Sequence, residues 1–461
     1  MKIETIRSEG LAHLSYLVSS EGESMVLDPR RDCDIYVEHA RRESVNILQI
    51  FETHRNEDYV VGSLELQNRI PSARIGHSAA TSFKYGDDKL EDEDTFKIGK
   101  MLVTCVHTPG HTNDSMCYVV SDASIGNDPL VVFTGDTLFV NEVGRTDLVD
   151  IKKHEEMSRK LFHSLQEKIL PLGDGVIIHP GHGAGSVCGG AIGSRDFSTI
   201  GYECKNNIWL DQSEDDFVQA KLKQHLTLAP YFKRCEKLNT DGPPLLSDID
   251  PLKVIDVSIL EDLMQDEENI VVDTRLAGQF VDGHIPRSIS LDFKHMGLFA
   301  GWVLFPSNSF ILLLTSPTDI DEAAGMLYRV GLDTVIGHLN GGFESWKAAG
   351  KSIDSLPIFK LEDIKSQLSY GTLEVIDVRQ PHEAENDYIE NSIYSPLTTI
   401  GEDMTKFPPE KPLVAICPAG FRSTTGASIM KRGGLANAGV SDNGLMEWKK
   451  RGYPIKTGSN Q

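Results

Sequence analysis

The apolar positions of this chain fall into two regimes. In the first half, four strand-length apolar runs each lead to a polar cluster. VNILQIFE stops at Thr53-His54, MLVTCV leads to His107 and His111, LVVFTG to Asp136, and GVII to His179 and His182. Short apolar runs with polar punctuation predict buried strands. Polar side chains placed where several strands end converge on one rim of a sheet, where open α/β folds keep their sites. In the second half, short Val/Ile/Leu runs alternate with stretches of helical periodicity, which predicts parallel sheets with helices on their faces.

The second regime repeats itself. Val271-Val272-Asp273-Thr274-Arg275 returns as Val375-Ile376-Asp377-Val378-Arg379, an offset of 104, and GGFESWKAAG around Trp346 returns as NGLMEWKKRG around Trp448, an offset of 102. Two landmarks at nearly equal spacing mean two copies of one module of about a hundred residues. Asn239 to Pro251, rich in Pro, Asp and Gly, reads as the linker before the first copy, and Gly350 to Pro357 separates the copies. The expected division is 1–238, 252–352 and 357–461.

Composition narrows the function classes. At 461 residues the chain is too long for a single core, and 40% hydrophobic with 25% charged residues is an ordinary globular balance. A formal net charge of -23 argues against a nucleic-acid surface or an anionic membrane as partner. The opening MKIETIRSEGLAHLSYLVSS carries Glu4 and no long apolar core, so it does not read as a signal peptide. The longest apolar stretches, such as Phe310 to Leu314, are strand-sized and too short to span a bilayer. Seven cysteines without regular spacing fit a reducing cytoplasm better than a disulfide scaffold.

The polar clusters carry the chemistry. THRNEDYVVG, HTPGHT, FTGDTLF, GRTD and HPGHG, in this order, resemble the metallo-β-lactamase superfamily. GHGAGSVCGGAIG and STIGYECKNN, with the two copies behind them, resemble the persulfide dioxygenase–rhodanese fusions, and the resemblance covers essentially the whole chain. It implies an α/β protein, with a metallo-β-lactamase αββα sandwich followed by two doubly wound parallel-sheet rhodanese-like domains. The superfamily's first motif, His-x-His-x-Asp-His, here reads His54, Asn56, Asp58, Tyr59. A two-zinc hydrolase needs the two missing imidazoles, and an Asn amide is a poor substitute. The resemblance to persulfide dioxygenases implies a smaller ligand set, His54, His111 and Asp136, all present. Two imidazoles and one carboxylate with other positions open form the facial triad of mononuclear Fe(II) oxygenases, one iron per chain. The resemblance also implies a low-molecular-weight thiol persulfide, O₂ and sulfite as small-molecule partners, and a homo-oligomer.

Other residues in these motifs keep two readings each. Asp58 and His182 either orient ligands or bound water, or make ordinary hydrogen bonds. Arg145 in GRTD either helps hold the thiol carrier or forms a structural salt bridge. Cys188 and Cys204 either lie near the iron and carry sulfur or are inert core. His77, His107 and His179 read as structural.

Near the end, the run PLVAI delivers Cys417-Pro418-Ala419-Gly420-Phe421-Arg422-Ser423 and then the helix-like STTGASIMKR. A strand, a short loop beginning with Cys and a helix N-terminus place the sulfur in a ring of backbone N–H groups. Those donors, the helix end and Arg422 favour an anionic sulfur there. The loop resembles that of the rhodaneses, which implies a persulfide carried on Cys417. In the first copy the position 102 before Cys417 is Thr315, whose hydroxyl cannot form a persulfide, so this copy is expected to be non-catalytic and to space or dock its neighbours. It keeps His284 where the second copy has Tyr388, so that position is not chemical. Together these readings imply a persulfide dioxygenase coupled to thiosulfate formation. The alternative is a sulfurtransferase alone with a metal domain reduced to a scaffold; a hydrolase of glyoxalase II type fits least.

Overall fold

The computed structural model describes residues 1–224 and 226–458, so positions 459–461 of the expected third segment lie outside it. The chain packs as two compact units, Met1–Asp248 with Tyr328–Gly331, and the remaining described residues from Ile249 onward.

The first unit is built on two six-stranded sheets. One runs in sequence order through Lys2–Ser8, His13–Ser20, Glu23–Leu27, Asn46–Phe51, Arg74–Ser78 and Asp88–Leu90. The other runs in reverse order from Ser198–Thr199 through Ile177–Pro180, Val131–Gly135, Met116–Asp122 and Met101–His107 to Thr95–Ile98. Alternate residues explain the layering. Leu14, Tyr16 and Val18 pack with Val103, Tyr118, Val120 and Phe133 between the sheets. Leu17 and Val26 turn the other way, onto Tyr36 and Ala40 of helix Asp34–Glu43 and Leu66 of helix Ser63–Arg69. Val119 and Val132 meet Leu161 of helix His154–His163 and Phe217 of helix Glu214–Leu222. The result is the expected αββα sandwich. Both faces of each sheet are covered, which is why its central strands read as nearly continuous apolar runs.

All four polar-tipped runs are strands, but not of a single sheet: Asn46–Phe51 belongs to the first sheet and the other three to the second. The expectation of one rim is corrected to a rim shared by two facing sheets. Periodicity reports which residues are buried, not which sheet a strand joins.

The second unit holds two five-stranded sheets, wholly parallel, each with its strands in the spatial order 1-5-4-2-3. The sequence repeat is a repeat of contacts. Arg275 forks onto Asp273 (Nη2–Oδ2 2.6 Å) and donates to the Gly283 carbonyl; Arg379 forks onto Asp377 (2.7 Å) and donates to the Asp387 carbonyl, 104 residues on. Trp346 Nε1 donates to the Ser352 carbonyl and Trp448 Nε1 to that of Pro454, 102 residues on. The copies also pack on each other: the Ser290 N–H donates to Ser428 Oγ (3.0 Å), and Lys431 reaches Asp354 and the Ser355 carbonyl. Among the described residues no helix is long and apolar enough to cross a membrane, and all seven cysteines are free thiols.

Candidate metal centre and sulfur-transfer loop

His54 follows the strand Asn46–Phe51, His111 lies in the loop after Met101–His107, and Asp136 follows Val131–Gly135. The three are buried, and their ligand atoms lie within 4.8 Å of one another. Their partners fix which nitrogens face inward. His111 Nδ1 lies 3.0 Å from the Arg145 carbonyl, which can only accept, so this nitrogen carries a proton and Nε2 is the one left to face a metal. His54 Nδ1 lies 2.9 Å from Thr53 Oγ1, whose own hydrogen goes to Asp28 Oδ2 (2.7 Å), so the same assignment holds. Both Nε2 atoms are buried and without a hydrogen-bond partner. Two buried imidazole nitrogens and a carboxylate around one space suit a divalent first-row ion, because unpaired buried polar atoms are costly otherwise.

Asp136 is held by His182, whose Nδ1 lies 2.8 Å and 3.1 Å from its two oxygens. His182 Nε2 is 2.8 Å from Asp58 Oδ2, though off the line of its N–H. His182 thus braces the Asp136 carboxylate, with Asp58 beside it and neither Asp58 oxygen hydrogen-bonded. Tyr59 stacks on His13, with ring centroids 3.9 Å apart. Asn56 Nδ2 donates to the His54 carbonyl.

One residue at this centre was not singled out from the sequence. Glu57, 1% exposed, places Oε1 3.5 Å from His111 Nε2 and Oε2 3.8 Å from His54 Nε2. Burial opposes its charge, but His111 and His54 outweigh it and hold the carboxyl at about 2. Reciprocally, burial pulls His111 down while Glu57 and Asp136 raise it to about 9. Cys188 Sγ lies 3.3 Å from Glu57 Oε1.

In the second repeat, strand Leu413–Ile416 ends at Cys417 and helix Phe421–Arg432 begins four residues later. The Gly420 N–H points at Cys417 Sγ (3.0 Å). Gly420 has φ +108°, a conformation in which a β-carbon is strained, and it leads the chain from the loop into the helix. Gly444 packs behind the loop, where a β-carbon would lie 2.0 Å from the Pro418 carbonyl oxygen. Arg422 Nη2 donates to Glu383 Oε1 (2.9 Å) and Nη1 to Oε2, while Arg422 Nε and Ser423 Oγ are buried without a partner. Phe421 stacks flat on His295 of the first repeat, centroids 3.8 Å apart and planes 7° apart, with Phe299 beside it. The first repeat thus docks onto the loop. Strand register corrects the expected equivalence: Leu313 pairs with Asp273 as Ile416 pairs with Asp377, so the residue in the place of Cys417 is the buried Leu314 and not Thr315, and it too carries no sulfur.

The sequence pattern of the metallo-beta-lactamase superfamily matches residues 9–182, and that of the rhodanese-like domain matches twice, at 256–349 and 360–451. The chain is a metallo-β-lactamase domain fused to two rhodanese-like domains. A solved metallo-beta-lactamase from Staphylococcus aureus aligns over 74% of this chain and 98% of its own, at 26% identity and a TM-score of 0.65. The probable hydroxyacylglutathione hydrolase glo2 of Schizosaccharomyces pombe is 30% identical over 34% of this chain and 56% of its own length. The human mitochondrial persulfide dioxygenase ETHE1 is 28% identical over 35% of this chain and 59% of its own. The chain thus spans little more than half the length of these curated relatives.

Within the metallo-β-lactamase domain the remaining motif residues take ordinary places. Arg145 forks onto Asp147 (2.7 and 2.8 Å) and donates to the carbonyls of Val187, Leu226 and Thr227. All five of its N–H groups are engaged within the protein. His107 Nε2 pairs with the Asn113 carbonyl, His77 Nε2 with that of Tyr85, and His179 packs against Phe133 and Tyr16. These three are structural, as expected. Of the two cysteines, Cys188 is buried beside the centre, whereas Cys204 is exposed on helix Ile200–Asn206 and belongs to none of the ligand groups.

Proposed function

We propose that the protein is an iron-dependent persulfide dioxygenase whose sulfite is converted to thiosulfate by its own second rhodanese-like domain. The donor set carries this reading: His54, His111 and Asp136 converge, while Asn56 and Tyr59 stand where a two-ion hydrolase has imidazoles. The named activity of the human relative agrees with it. Fe(II) bound there would supply the electrons that let dioxygen react with a sulfur anion. The overall change balances as RSSH + O₂ + H₂O giving RSH, SO₃²⁻ and 2 H⁺. The chain's own contribution is positional. Arg145's carbonyl and the Asp28–Thr53 pair keep the Nε2 atoms directed inward, and His182, with Asp58 beside it, holds the Asp136 carboxylate.

The second step uses Cys417. Its thiolate attacks the outer sulfur of a second persulfide, the S–S bond breaks, and the thiol RS⁻ leaves, taking a proton from solvent. Sulfite then attacks the sulfur now bound to Cys417; that S–S bond breaks, thiosulfate departs and the thiolate is restored. The Gly420 N–H, the helix N-terminus and the unpaired Arg422 Nε and Ser423 Oγ favour the anions at each stage. Carrying both activities on one chain raises the local concentration of sulfite near Cys417.

A two-ion hydrolase is the competing reading, favoured by the Asp58–His182–Cys188 group and by the hydroxyacylglutathione hydrolase relatives. Oxygen dependence separates the steps. In air the enzyme should turn glutathione persulfide into thiosulfate unaided; under argon it should do so only when sulfite is added, since sulfur transfer needs no oxidant. Thiosulfate formed under argon without sulfite, or none formed with it, contradicts the proposal.

A further inference from the structure

We infer that Glu57 is a fourth protein ligand to the metal held by His54, His111 and Asp136, replacing the donor lost where the motif's second histidine became Asn56. The inference rests on the metal reading above. Glu57 is buried, and its carboxylate faces the same space as the two unpaired imidazole nitrogens, 3.5 Å from His111 Nε2 and 3.8 Å from His54 Nε2. Those separations are too long for hydrogen bonds and suit donors arranged around a common centre. Asp136 Oδ2 stands in the same relation to His111 Nε2, at 3.6 Å. Glu57 Oε2 has no hydrogen-bond partner, and no lysine or arginine side chain is found in ion-pair contact with Glu57 among the described residues. A buried carboxylate in that position calls for a cation, which a protonated His111 supplies in the metal-free site and a divalent ion would supply in its place.

Charge and connectivity point the same way. With both imidazoles neutral, Glu57 and Asp136 bring two negative charges, which a divalent ion neutralises. Asn56 turns its amide back to the His54 carbonyl, while Glu57, the next residue, is buried with its carboxylate toward the imidazoles. The centre is then a two-histidine, two-carboxylate site. A six-coordinate ion in it keeps two positions for exogenous ligands, not three.

Anaerobic titration with Fe(II) against a chelator tests this without recourse to activity. Glu57→Gln keeps the shape and removes the charge, and should weaken Fe(II) binding more than about 100-fold, beyond the ~10–100-fold typical of an outer-shell partner. Glu57→His supplies another ligand type. Its Cu(II) complex should show hyperfine coupling to three nitrogens by electron paramagnetic resonance, against two in the wild type. Wild-type Fe(II) affinity in Glu57→Gln, or two coupled nitrogens in Glu57→His, overturns the inference. His54→Ala, titrated alongside, separates the two levels: if it too binds Fe(II) like the wild type, the metal centre itself is misassigned, whereas if it alone loses the ion, only the role of Glu57 falls.

Discussion

Replacing Cys417 by serine is expected to abolish thiosulfate formation and leave sulfite as the end product of persulfide oxidation. The side chain is fully buried in its loop, and serine is nearly isosteric, so the fold should tolerate the change. A hydroxyl cannot accept a sulfane sulfur, and the catalysed transfer should fall by at least about 10³, the scale on which loss of a covalent nucleophile is felt. Oxygen uptake and metal content should stay near wild-type values, because the metal ligands lie in the other compact unit. Ion chromatography of the products checks it. Thiosulfate appearing at the wild-type rate would show that sulfur transfer happens elsewhere.

His111→Ala should do the reverse, with a further cost in stability. It removes one of the two unpaired imidazole nitrogens and the group that offsets both Glu57 and Asp136. Metal binding and persulfide-dependent oxygen uptake should be lost together. The two carboxylates would then face each other with less compensation; breaking a buried charge pair costs about 3–5 kcal/mol, so the melting temperature of the metal-free domain should fall. Transfer of sulfur to added sulfite under argon should survive. An unaltered oxygen electrode trace would remove His111 from the centre.

How much of this was legible in the sequence depends on the kind of constraint. The repeat was fully readable, because Asp273–Arg275 and Asp377–Arg379 are local contacts whose spacing the chain itself records. The αββα layering was implied only by the family resemblance that the motifs carry; the burial on both sheet faces that explains it came from the structure. The Cys417 loop was readable because strand, loop and helix are contiguous. What escaped was set by partners distant in sequence. Arg145 was left between two roles, and its contacts to Asp147 and three carbonyls, two of them more than 80 residues away, had no signal in the sequence. Arg422 was read as favouring an anionic sulfur, and its fork onto Glu383 could not be foreseen, since 39 residues separate the two. Docking of His295 onto Phe421 has no signature in either segment. Glu57 was passed over because it sits at a variable position of the motif, where an acid reads as surface. The available signal was an extra acid beside a missing histidine, with an apolar Val60-Val61 following and no nearby lysine.

The claim on which the proposal turns is that the metallo-β-lactamase domain holds iron and consumes oxygen. Metal analysis of the purified full chain, followed on the same sample by an oxygen electrode with glutathione persulfide, addresses it most directly. The expected result is about one iron per chain, with oxygen taken up only when persulfide is present. Two zinc ions per chain, hydrolysis of a glutathione thioester and no oxygen uptake would contradict it.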